Sequence, residues 1–411
     1  WIMRFMLLFF PDYNYSLSEK ERRFSHYNRE RFPVQSPQIL FALLFIPCYT
    51  VTKKGVNQMA FDGITIAAMV QELHQNLDGG RFNKIAQPEQ DALVITAKGA
   101  NGQRRLLLSA SASLPLIYFI DKNKPGPLTA PNFCMLLRKH IGSARISGIR
   151  QPALERAIEF ELEHLNEMGD PCRKILILEL MGKHSNIIFC DEDRNILDSI
   201  KHVSYHMSSV REVLPGRKYF LPQTQEKSDP LTIGEEEFIE KVCKKPCSIS
   251  KALYTSLTGL SPLISEEICY RASIDGSDAA LSLNETACIH LYHTFKRLID
   301  QVKEGDFTPN IIYRGQEPVE YAVLPLTQFG AEYHSQEFPT VSAMLDTYYS
   351  SRDTLNRIRQ KSSDLRRIVQ TALERNRKKY ALQQKQMKDT AKKDKYKIYG
   401  ELINTYGYGL E

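Results

Sequence analysis

The chain of 411 residues holds one tryptophan, at its first position, and no apolar run near the roughly 18 to 20 residues that cross a bilayer. Its longest apolar stretches, Met6–Phe10 and Ile39–Pro47, are too short to span, and no small-residue cleavage pattern follows them as it would a signal peptide. There is no Gly-x-x-x-x-Gly-Lys-Ser/Thr loop, so nucleotide hydrolysis of the P-loop kind is not expected. The eight cysteines form a single Cys-x-x-x-Cys pair, Cys243 and Cys247, with no second pair or nearby histidine to complete a zinc set. No metal and no cofactor is expected, and free thiols of a reducing compartment are the plain reading. With 42% hydrophobic and 25% charged residues the composition excludes a collagen-like, mucin-like or wholly disordered chain. The length points to two to four folded units.

What is present is an uneven distribution of charge. Ser351 to Gly400 holds 16 Lys and Arg against 5 Asp and Glu, while residues 59–350 carry a net charge of −7. An acidic body bearing one strongly basic arm suggests a polyanionic partner for the arm, with a solvated basic helix as the alternative.

Residues 1–58 show no steady periodicity and change abruptly at Met59 into Ala60-Phe61-Asp62-Gly63 and an amphipathic run. Lys53-Lys54-Gly55-Val56-Asn57-Gln58 could be encoded by a purine-rich string just before the Met codon, as in a translated ribosome-binding site. The expectation is therefore that residues 1–58 are translated leader and the protein starts at Met59; a genuine extension is the other reading.

From Met59 on, Asp62 predicts the cap of a helix over Ile64–Leu77 with Gly79-Gly80 as its stop. Strands are expected at 82–87, 92–97, 105–109 and 116–120, a helix over 131–141 with a basic end, and strands at 156–163, 174–180 and 186–190. Residues 226–305 turn helical: 233–242 and 249–258 lead through Gly259-Leu260-Ser261-Pro262-Leu263 into a helix capped by Ser265. That pattern fits a helix-hairpin-helix, whose turn amides hold a nucleic-acid backbone, or an ordinary helical hairpin. Strands return at 311–314 and 319–324, the second ended by Pro325. From Val341 some fifty residues pass without Pro or Gly, roughly 75 Å of helix. Its seam of Leu355, Ile358, Leu365, Ile368, Val369, Ala372 and Leu373 is heptad-like and calls for a returning helix, so the chain reads as C-terminally truncated. The fold class is α+β.

Three collinear segments are more specific than any of these patterns. Met59-Ala-Phe-Asp-Gly63, Phe133-Cys-Met-Leu-Leu-Arg-Lys-His140 and Glu179-Leu-Met-Gly-Lys-His-Ser-Asn186, with Leu260-Ser-Pro-Leu263 and the basic helix, closely resemble the NFACT family of ribosome quality control factors, long described as fibronectin-binding proteins. The resemblance runs from Met59 to Glu411. It implies a glycosylase-like, β-rich N-terminal domain with flanking helices over 59–225, a helix-hairpin-helix domain over 226–305, strands returning to the first domain over 306–342, and a coiled-coil arm from 343. It further implies binding to the large ribosomal subunit carrying peptidyl-tRNA, recruitment of alanyl-tRNA, and template-free addition of a C-terminal alanine tail, in the cytoplasm.

Residue by residue, the family's acidic-Arg element for tRNA falls on Glu155 and Arg156, with Glu in place of the usual Asp. Arg156 can fork onto a phosphate or a guanine edge while the carboxylate orients it; a plain surface ion pair is the other reading. The resemblance adds Glu179, and the turn after it presents Lys183 and His184, as a phosphate contact or a capped turn with a core histidine. Arg138, Lys139 and His140 are RNA contacts or a solvated helix end. On the arm, Arg375, Arg377, Lys378, Lys379, Lys392, Lys393, Lys395 and Lys397 fit RNA backbone, each neutralised phosphate adding a salt-dependent increment. Glycosylase chemistry, which uses an N-terminal Pro followed by Glu, is absent because Ala60 and Phe61 follow Met59, so DNA is not an expected partner. No enzymatic activity is expected. The rival function is a leaderless surface adhesin binding fibronectin or fibrinogen, disfavoured because no usable signal peptide, wall anchor or membrane span is found.

Overall fold

The computed structural model describes residues 61–409 apart from 122–125, 128, 166–167, 209 and 223–225, and leaves the side chains of 352–364, 366 and 391 undescribed. The expectation for residues 1–58 lies outside the described residues.

Asp62 accepts from the backbone N–H of Thr65 at 2.8 Å and opens α1 (Gly63–Leu77), whose Ile66, Met69, Leu73 and Leu77 are all buried. Nine antiparallel strands follow: β1 (Arg81–Glu89), β2 (Ala92–Gly99), β3 (Gly102–Ala110), β4 (Pro115–Ile120), β5 (Arg145–Arg150), β6 (Ala157–Leu165), β7 (Pro171–Glu179), β8 (Asn186–Asp191) and β9 (Ile196–Ser199). They form one sheet in the order β4-β3-β2-β1-β5-β6-β7-β8-β9. It consists of two meanders joined where β1 meets β5, at the registered pair Arg81–Arg145, with α2 (Asn132–Ile141) in the connection. The sheet curls so that β3 touches β7, and Lys201 donates to the carbonyls of both Ala110 and Ser185. Curling covers both faces of the middle strands, which is why Ala92–Ala97 is buried without alternation.

The helical region begins with α3 (Glu235–Phe238), which widens into a π turn over Ile239–Cys243; the single helix expected over 233–242 is thus shorter and interrupted. α4 (Ile249–Ser256) and α5 (Pro262–Arg271) are joined by five residues. Ser261, not Ser265, caps α5: Pro262 takes the first helical position, where its missing N–H costs nothing, and Ser265 lies fully buried within the helix. α6 (Glu285–Glu304) runs from the Asn284 cap to Gly305, whose φ of +71° is the left-handed stop. A second sheet, ordered β11-β10-β12, comprises β10 (Asn310–Arg314), β11 (Glu317–Ala322) and β12 (Tyr333–Glu337).

Finally α7 (Val341–Tyr406) extends for 66 residues, about 100 Å. Its base is locked into the body: Val341, Met344, Leu345 and Tyr348 are buried, Ser342 N donates to Glu72 at 3.0 Å, and Ser342 Oγ accepts from Phe119 N at 3.0 Å. Further out, Leu365, Ile368 and Val369 are exposed; the seam residues Leu355 and Ile358 belong to the undescribed side chains. Among the described residues no helix is long and apolar enough to cross a membrane, and no three His, Cys, Asp or Glu cluster as a metal site.

Candidate nucleic-acid interface

Three chain segments meet backbone to backbone at one end of the large sheet. Gly63 N donates to Gly259 O at 2.8 Å. A Cβ on Gly63 would lie 2.1 Å from Leu154 O and 2.6 Å from Gly259 Cα, and one on Gly259, at φ +75°, 2.2 Å from Leu154 O. Only glycine permits this approach. Asp62 holds the junction: besides capping α1, its second oxygen accepts from Ser261 Oγ at 2.7 Å, and Ser261 in turn caps α5. One buried carboxylate therefore organises two helix starts. Burial raises its pKa, opposed by the bonds from Thr65 and Ser261 and by the charge of Arg156.

This junction fixes the segment 151–156. Gln151 Nε2 donates to Gly63 O at 2.8 Å and to Glu155 O at 2.9 Å, and Leu180 N donates to Arg156 O at 2.8 Å. Arg156 lies just before β6, not within the strand expected from 156, so its side chain is freed from the sheet's alternation. Glu155 and Arg156 are both half-buried. Among the described residues the Arg156 guanidinium makes no hydrogen bond and no ion pair, so the plain surface ion pair with Glu155 is not formed.

Two lysines from the helical region complete the site. Lys227 donates to Tyr254 O at 2.8 Å, and Lys245 to Thr255 Oγ1 at 3.0 Å and Ser256 Oγ at 2.9 Å. Burial lowers the Lys227 pKa, the charges of Arg156 and Lys245 lower it further, and Glu155 opposes them. Burial likewise raises the Glu155 carboxyl against the pull of Lys227 and Arg156. Two cations, Lys227 and Arg156, act on one carboxylate that is itself disfavoured as an anion, and Lys245 acts in turn on Lys227. Such a cluster accepts an incoming anion readily, and Arg156 has its full fork of donors to offer. Lys227 and Lys245 were not singled out in the sequence, since neither stands in a motif and only the fold brings Lys227 to Arg156 and Lys245 to Lys227.

The other expected residues divide by place. Register pairs Ala157 with Glu179, so the turn after β7 begins beside Arg156. Lys183 and His184 are exposed there, in a 3-10 turn (Gly182–His184) started by Gly182 at φ +60°. Glu179 is fully buried, bonded to Arg211 and accepting from Tyr219 OH at 3.0 Å. Buried in this way, Glu179 has no oxygen to offer RNA directly, and what it does in the fold is fix Arg211. Burial raises its carboxyl, opposed by Arg211. Arg138 and Lys139 are exposed near the opposite end of the sheet, where Arg138 Nε donates to Ile85 O at 2.7 Å. Arg375, Arg377, Lys378, Lys379, Lys392, Lys393, Lys395 and Lys397 are all exposed on α7.

A glycine-locked junction thus carries a half-buried arginine and a nearby lysine on a mixed α/β scaffold. Residues 62–411 match the model for the NFACT N-terminal and middle domains, and the chain belongs to that family. It is 34% identical over 357 residues to the Rqc2 homolog RqcH of Bacillus subtilis, a match covering 86% of this chain and 60% of that protein. The N-terminal part of the fibronectin/fibrinogen-binding protein of Streptococcus suis matches with a TM-score of 0.59 and 30% identity, over 71% of this chain and 99% of that one. The fibrinogen-binding protein of Staphylococcus aureus matches with a TM-score of 0.60 and 28% identity, over the same shares. The match spans about 58 to 60% of the length of the bacterial relatives.

Proposed function

We propose that the chain is the RNA-contacting part of a ribosome quality control factor that acts in the cytoplasm on large subunits carrying obstructed peptidyl-tRNA. In this reading it recruits alanyl-tRNA for template-free C-terminal alanine tailing, and the ribosome performs the peptidyl transfer, so the chain needs no bond-breaking chemistry of its own. The observation that carries the reading is Arg156, held by the junction with its guanidinium unpaired among the described residues and with Lys227 close enough to feel its charge. Glu155 keeps the charge of an Asp with one methylene more. The α4–α5 turn is read as a helix-hairpin-helix contact. The exposed apolar seam on α7 is read as one half of a coiled-coil arm whose lysines follow RNA backbone.

The test is co-sedimentation of the whole chain with large subunits bearing peptidyl-tRNA, with alanyl-tRNA capture scored beside Arg156→Ala. The expected outcome is a fall in tRNA capture of about tenfold or more, the worth of one well-placed arginine fork, with subunit binding kept. Equal capture by a folded Arg156→Ala variant overturns the role of the site. The names of the solved relatives favour a second reading, a surface protein binding fibronectin or fibrinogen. Protease-accessible chain on intact cells, with no chain on ribosomes, would put that reading first.

A further inference from the structure

Register across the large sheet aligns one charged row over five strands. Lys98 on β2 stands opposite Arg81 on β1, Arg81 opposite Arg145 on β5, Arg145 opposite Glu163 on β6, and Glu163 opposite Arg173 on β7. Directly opposed residues of an antiparallel ladder share a face. Four cations thus share a row with one carboxylate, and that carboxylate is engaged by Arg173 at 3.2 Å. Among the described residues no carboxylate lies within ion-pair distance of Lys98, Arg81 or Arg145. Like charges opposed in a ladder destabilise it, and here they occupy the registered pair that joins the two meanders.

A cleft of about 790 Å³ opens beside this row, lined by Arg81, Arg145 and Glu163 and also by Lys84, Arg138, Lys139 and His164. At its edge, His164 Nδ1 lies 3.0 Å from Leu165 O while its buried Nε2 has no hydrogen-bond partner among the described residues. Four strand spacings give the row a length of about 19 Å. That is too long for one small anion and matches several consecutive phosphates, at one charge per about 3.4 Å of strand.

We propose that this row and its cleft bind the phosphate backbone of an RNA strand. It is a second contact at the far end of the sheet from Arg156: Glu163 lies seven residues along β6 from Arg156, about 23 Å. The inference rests on the RNA-binding reading, and it gives the opposed arginines a purpose that the stability of the fold does not.

The whole chain is titrated with a fluorescein-labelled 20-nucleotide oligouridylate over a range of salt, beside Arg81→Gln/Arg145→Gln and Arg156→Ala, with melting curves for each. The double variant is expected to bind about tenfold more weakly. Its slope of log affinity against log salt should be shallower by about 1.4, two contacts at roughly 0.7 each. Its melting temperature should be unchanged or higher, because a repulsion has been removed; a merely structural pair would lose stability instead. A folded double variant with the affinity and slope of the parent overturns the row, and leaves the RNA reading intact if the parent and Arg156→Ala differ. A parent chain that holds no oligouridylate at low salt removes the RNA reading and the row together. Equal, Arg81- and Arg145-dependent binding of polyglutamate overturns the choice of RNA in favour of an acidic protein.

Discussion

The sheet end around Arg156 and the outer part of α7 both carry positive charge, but they hold it in opposite ways. On α7 the charge is a matter of composition: among the described residues, lysines and arginines stand exposed along one helix. At the sheet end the charge is assembled from three distant segments. Asp62, Gly63 and Gly259 must come together before Arg156 is brought to Lys227, on which Lys245 also acts. The first arrangement suits contact with a long backbone whose position is loosely set. The second suits one phosphate or one base edge in a fixed place. Changes at the junction should therefore be cooperative and large, and changes on the arm local and small.

The sharpest way to break the comparison is Gly63→Ala. The added carbon would meet Leu154 O and Gly259 Cα, both main-chain atoms, so no side chain can swing away. We expect a loss of about 3 kcal/mol or more in urea unfolding, in the range of severe strain or overpacking. RNA binding by the Arg156 cluster should be lost in the molecules that remain folded. A midpoint within about 0.5 kcal/mol of the parent, the range of ordinary surface substitutions, would mean the junction yields and the contrast with the arm is false.

This difference also governs what the sequence revealed. Asp62 and the Gly79-Gly80 stop marked α1, and the long run without Pro or Gly marked α7, because helix ends and helix periodicity are local properties. β5 was not foreseen because Gly148 interrupts its short alternation, and β12 because its residues Tyr333–Glu337 are mostly exposed and polar. Of the anion cluster, only Glu155 and Arg156 were named, through a family resemblance. Lys227 reaches Arg156, and Lys245 reaches Lys227, by tertiary convergence, which no spacing in the chain records. The row from Lys98 to Arg173 is hidden for a similar reason, since it exists only once the strand register is known.

A smaller effect sharpens the comparison through pH. Asp62 is buried and its folded pKa is raised above the unfolded value of about 3.9. The stability tied to this group is fully present below that value and falls away as the pH rises through the folded value. Asp62→Asn removes the titration while keeping an oxygen to accept from Thr65 N. Between about pH 4 and neutral, the parent should lose stability relative to the variant, as its buried carboxyl is forced to ionise. Urea midpoints of the two proteins across that range test it; parallel profiles would show that burial is not what sets Asp62 apart.

The smallest expected effect lies at Gly400, where an added Cβ meets nothing within 4 Å. Glycine inside a helix costs about 0.5 to 1 kcal/mol relative to alanine. Gly400→Ala should accordingly stiffen the outer part of α7 by that amount, seen as a small gain in helical circular dichroism and slower amide exchange near residue 400. The urea midpoint of the body should not move, because among the described residues of α7 the fully buried ones lie at its base, from Val341 to Tyr348. RNA affinity should stay within about twofold, since no cation is added or removed and the electrostatic increment counts charges. A shift of the body's midpoint would show that the long helix unfolds together with the sheet, and that its exposed lysines are held as rigidly as Arg156.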